Sequence, residues 1–118
     1  MSKSNILNLF KKNLLNFLDE LIETFPSHDD FIIMRIFVKD KIPISIIMDS
    51  FVNDIDNIKY MVVKRDDTFF THGNIIFSKL EKEEVFNKIW GTLDTDNKII
   101  MWNWFEQFIK LAEKYKSL

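Results

Sequence analysis

The sequence predicts an all-α fold, a single bundle of about five helices over residues 1–118. Three observations carry this. Apolar residues recur at helical spacing along most of the chain. Polar residues suited to capping stand where several of those stripes begin. With two glycines and two prolines in 118 residues, turn signals are too few for many short strands.

The first helix is expected over 5–25. Leu7, Phe10, Leu14, Phe17, Leu18, Leu21, Ile22 and Phe25 share one face, with Lys12, Asn13, Asn16, Asp19, Glu20 and Glu23 opposite. Leu9 strays onto the polar side. Pro26 stops the helix, because a residue before proline is pushed out of the α region.

A second helix is expected over 28–40. Ser27 can cap it, and Asp29 and Asp30 suit the positive end of its dipole. The run FIIMRIFV is apolar nearly all round, so periodicity does not separate a buried helix from a buried strand at 31–38. The cap signal selects helix, and either way the segment is expected to lie deepest in the fold.

Pro43 suits the first turn of a third helix over 43–64. Its stripe is Ile44, Ile47, Met48, Phe51, Val52, Ile55, Ile58 and Val62, with Ile46, Tyr60 and Met61 off it. KRDDTFFTHGNIIF reads as irregular, with turn formers at Asp66, Asp67 and His72–Asn74; a short hairpin around Gly73 is the less favoured alternative. Ser78 and Glu81 have capping-box spacing for a fourth helix over 79–90, ended by a left-handed turn at Gly91. Asp94 or Thr95 caps a fifth over 95–116. The short connection makes these last two antiparallel neighbours.

Composition narrows the function classes. The absence of cysteine removes disulfides, thiolate zinc sites and cysteine nucleophiles. No signal peptide and no membrane-length apolar run is legible, which points to an intracellular protein. A net charge of −2 with Arg35 and Arg65 as the only arginines argues against nucleic acid.

Catalytic motifs are missing too. His28 and His72 fall at a helix start and in a turn, without metal-ligand spacing. Asp66–Asp67 and Asp94–Asp96 are close carboxylates, but the latter lacks the glycine and glutamate of a calcium loop, and turns recruit aspartate for local bonds. Neither a phosphate loop nor a nucleophile elbow is present. No cofactor or metal is expected.

The aromatic stretch IIMWNWFEQFIKLAEKY (99–115) is the remaining feature. Ile100, Met101, Trp104, Phe105, Phe108, Leu111, Ala112 and Tyr115 share a broad face that reads as core. Trp102 and Ile109 sit on its flank. They are either core, against Phe86, Ile89 or Trp90, or a partner site, since tryptophan is enriched in interface hot spots.

The segments FLDELIETFPSHDDFIIMRIF (17–37), DDTFF (66–70) and VFNKIWGTLDTDNKIIMWNWFEQFIKLAEKY (85–115) resemble small uncharacterised proteins of nucleocytoplasmic large DNA viruses. The resemblance is one of pattern and brings no assigned chemistry. It implies a viral protein in host cytoplasm or the virion.

The leading expectation is therefore a non-enzymatic helical protein acting through protein contacts or self-association, without a membrane. Its surface would include Trp102 and Ile109, with Leu9, Ile46, Tyr60 and Met61 secondary. One alternative is a nucleic-acid accessory using Lys79, Lys82, Lys88 and Lys98. The other is a small-molecule binder with an aromatic pocket between the fourth and fifth helices.

Overall fold

The computed structural model describes residues 2–71 and 83–118. Among them the chain is all-α, with no strand. Helix α1 (Lys3–Thr24) begins at Ser2, whose hydroxyl accepts from the Asn5 N–H at 3.1 Å. That cap starts the helix two residues earlier than expected and adds Ile6 to its buried face. Phe25 ends it with φ −126° and ψ 65°, the non-helical conformation that Pro26 requires.

Helix α2 (Asp30–Ile36) widens into a π-turn (Phe37–Lys41) closed by Ile42 N–H on the Phe37 carbonyl, 2.8 Å away. Segment 31–38 is thus helical throughout. Ile42 precedes Pro43 and is extended, so the π-turn is where the helix is unwound. Its freed Lys39 carbonyl accepts from Lys11 Nζ at 2.8 Å, a cation placed at the negative helix end. Ser27 is not the cap: Asp29 holds that position in helical conformation without a side-chain bond. The second correction is larger. Phe31, Met34 and Val38 are buried, but Ile32, Ile33, Ile36 and Phe37 are exposed, so this helix is not the deepest part of the fold. It lies at the periphery, packed chiefly on α1.

The expected third helix is two. Helix α3 (Ile44–Asn53) and helix α4 (Ile55–Val63) are separated by Asp54, at φ −122° and ψ 23°. The Asp54 N–H reaches back to Phe51, and its carboxylate accepts from Asn57 Nδ2 at 3.3 Å. Asn53 and Asp54 are residues whose side chains compete for backbone groups and lower helix propensity. The break lets α3 pack on both α1 and the last helix, while α4 runs along the last helix.

A short helix α5 (Thr68–Thr71) follows. The hairpin considered at Gly73, the Ser78–Glu81 capping box, Lys79 and Lys82 lie outside the described residues. Helix α6 (Glu83–Trp90) ends before Gly91, but not by a left-handed glycine: Gly91 has no positive φ, and the Thr92 N–H closes an ordinary turn on Ile89 O at 2.8 Å. Helix α7 (Thr95–Lys116) has the expected bounds, with Asp94 accepting from the Asn97 N–H at 2.8 Å. Between the described residues of the last two helices, Trp90 stands edge-on to Trp102 at 5.5 Å and the Lys98 ammonium lies 5.1 Å from the Trp90 ring centre. Helix α6 packs mainly on α5, and α7 on α1 and α4.

The core is aromatic. Phe10 and Phe17 of α1, Phe51 of α3, Phe69 of α5, and Phe105 and Phe108 of α7 are all buried. Most neighbouring rings meet edge to face at 5.2–5.9 Å, as in Phe69–Phe105 and Phe10–Phe51. This geometry puts positive ring edges on negative faces, which favours it over parallel sandwiches.

Candidate functional site

The six expected partner residues separate once placed. Trp102 and Ile109 are corrected as surface candidates: they are 4% and 5% exposed. Trp102 packs on Trp90 and Phe69, with the Arg65 guanidinium 5.8 Å from its ring centre. Met61 is half-buried against the core, a second correction. Leu9, Ile46 and Tyr60 are exposed. Lys64 Nζ donates to the Tyr60 hydroxyl at 2.6 Å, so that ring carries a local contact. These three residues come from three different helices.

A contiguous apolar surface lies elsewhere, on α2. Ile32, Ile33, Ile36 and Phe37 are 44%, 39%, 48% and 41% exposed. Their i, i+1, i+4, i+5 spacing stacks them in two adjacent turns on one face. The opposite face, Phe31, Met34 and Val38, is fixed against the core. Arg35 locks the rotation: its Nε donates to Asp19 Oδ1 of α1 at 2.7 Å. The outward ridge is therefore the remainder of a helix apolar on both sides, of which α1 covers only one. Asp29 and Asp40, both exposed, stand at its two ends. The signal in the sequence is the all-round apolar run, which by itself reads as depth. A helix apolar all round needs two apolar neighbours, and among the described residues α2 has one, α1.

The remaining candidates have local roles. His28 is exposed, edge-on to Phe25 at 6.1 Å and tilted against Phe31 at 6.3 Å. The Asp66 carboxyl is held below its ordinary value first by the Thr68 hydroxyl and then by the Thr68 N–H; desolvation opposes them, and nearby Lys64 adds the least. That is the signature of a turn carboxylate, and Asp94 is likewise spent on its helix cap. Among the described residues no group of three or more His, Asp or Glu could hold a metal ion. None of their helices is long and apolar enough to cross a membrane.

Of the expected lysine face, Lys88 is exposed and Lys98 half-buried, its ammonium 5.1 Å from the Trp90 ring centre. Where the small-molecule pocket was expected, Trp90 and Trp102 meet ring to ring. Compared with protein-family models, curated proteins and solved structures, the chain matches none.

Proposed function

We propose that the chain is a non-enzymatic helical protein that works through protein–protein contacts, and that the outward face of α2 is the surface it uses. The observation that carries this reading is the ridge Ile32–Ile33–Ile36–Phe37, held outward by the Arg35–Asp19 ion pair. Contiguous apolar patches on the surface of a folded monomer often mark sites of association. The ridge is preorganised, since its opposite face is anchored in the core; little ordering entropy is lost on docking. A role as a viral accessory or virion component is part of the proposal and rests on the resemblance of 17–37, 66–70 and 85–115 alone.

The test is Ile36→Glu, with light scattering across concentration and a photo-crosslinking residue at position 33 in expressing cells. The expected result is a dimer mass or a discrete crosslinked protein, lost in Ile36→Glu while circular dichroism and Tm stay unchanged. Surface substitutions of this kind change stability by less than about 0.5 kcal/mol. A chain that stays monomeric at every concentration and yields no crosslink from position 33 sinks the reading.

A further inference from the structure

A second surface lies on the opposite flank of α1. Lys11 and Asp19 of that helix reach towards α2, whereas Glu20 reaches α7, where its Oε2 accepts from Trp104 Nε1 at 2.6 Å. Along this α1–α7 seam run two adjoining hollows of about 170 and 270 Å³, which share Glu20 and Ile100 in their walls. Together they hold one or two long side chains.

Their chemistry is one-sided. Glu20 and Glu23 bring two carboxylates, and among the described residues no lysine or arginine lines either hollow. Among the described residues neither glutamate forms an ion pair. The seam also contains apolar surface: Ile100 is 42% exposed, and Leu21, Phe25 and Met101 line the smaller hollow. Trp104, expected in the core, is only half-buried; it packs on Phe17 and Phe108 and lines the larger hollow. Asn103 and Gln107 add amides beside it.

An indole beside a carboxylate, with apolar surface next to both, suits one kind of side chain. Its stem is apolar and its head is cationic. The ring attracts the cation, the carboxylate accepts its N–H groups, and Ile100 covers the methylene stem. We propose that the α1–α7 seam is a docking groove for a basic amphipathic peptide segment of a partner protein, which places an arginine or lysine between Glu20, Glu23 and Trp104. This groove is independent of the α2 ridge.

The experiment titrates the full ¹⁵N-labelled chain with an acetylated, amidated octapeptide alternating leucine and arginine, and with its leucine–glutamine counterpart. The expected result is a saturable shift of the Trp104 indole N–H resonance with the arginine peptide alone, weakened by added salt. Glu20→Gln/Glu23→Gln should weaken that binding at least tenfold. Its ¹H–¹⁵N spectrum checks the fold, and the amide oxygen introduced at position 20 keeps an acceptor for the indole. Ile36→Glu should leave the titration unchanged, which separates this groove from the α2 ridge. Equal binding of the glutamine peptide, undiminished binding to the double variant, or no shift of Trp104 with either peptide overturns the proposal.

Discussion

At the scale of single residues, Trp102 turns from a candidate contact into a structural one. Its ring is enclosed by Trp90, Phe69 and the Arg65 guanidinium, and it joins α7 to α5 and α6. Trp102→Ala should therefore cost about 3–5 kcal/mol, as truncation of a buried aromatic does. Chemical denaturation followed by circular dichroism measures it. An unchanged midpoint would return Trp102 to the surface. Gly91 makes the opposite case. A Cβ built there meets nothing within 4 Å, and its φ is not positive. Gly91→Ala should then stabilise the chain by about 0.4–1 kcal/mol, by restricting the unfolded state. A loss of stability would show that the turn does need glycine. The left-handed backbone belongs instead to Arg65, at φ 54°. Its guanidinium donates to Glu106 at 2.9 Å and lies over Trp102, so long-range contacts hold a conformation that local propensity disfavours.

At the scale of elements, caps separate what the sequence made legible from what it did not. The bounds of helix α7 were legible, because Asp94 and Thr95 stand just before a long stripe; the sequence left the cap open between them, and it falls on Asp94. The same kind of signal misled at Ser27. That serine follows Pro26 in a tight turn, and Asp29 takes the cap position two residues later. Asp94→Ala should thus lose about 1 kcal/mol, while Ser27→Ala should be neutral within about 0.5 kcal/mol. Paired thermal melts distinguish them, and equal losses would mean that Ser27 does cap α2. The division at Asp54 was not legible, because the apolar stripe runs unbroken across it from Phe51 and Val52 to Ile55 and Ile58. Periodicity reports which face is buried, not whether the axis turns. The helix must bend there because α3 and α4 follow different partners. The α2 ridge was hidden for a related reason. Residues 31–38 show that both faces are apolar, but only the packing shows that one of them has no neighbour among the described residues.

At the scale of the whole molecule, stability is unevenly distributed. Helices α1 and α7 contribute most of the aromatic hub, with Phe51 of α3 and Phe69 of α5 closing it. Helix α2 is held differently: Phe31, Met34 and Val38 anchor one side, Arg35–Asp19 and Lys11–Lys39 tie it to α1, and its other side meets solvent. The exposed Arg35–Asp19 ion pair contributes less than about 1 kcal/mol, and the other tie is a single exposed hydrogen bond from Lys11 Nζ to the Lys39 carbonyl. Opening α2 removes three buried side chains from the core without separating α1 from α7, so it is a sub-global event that lies below full unfolding. Backbone amides of 31–38 should therefore exchange with deuterium faster than those of Phe10–Leu18 and Phe105–Ala112, as read by mass spectrometry on dilute protein. Protection at α2 equal to that of α1 would contradict a peripheral helix. The same measurement bears on function. Covering the Ile32–Phe37 ridge adds apolar contact to the closed form alone, and a ligand that binds only that form raises its protection by mass action. Protection of 31–38 should rise with protein concentration if the partner is a second copy. If the partner is another protein, it should rise only on that protein's addition, and exchange at the hub should change less in both cases.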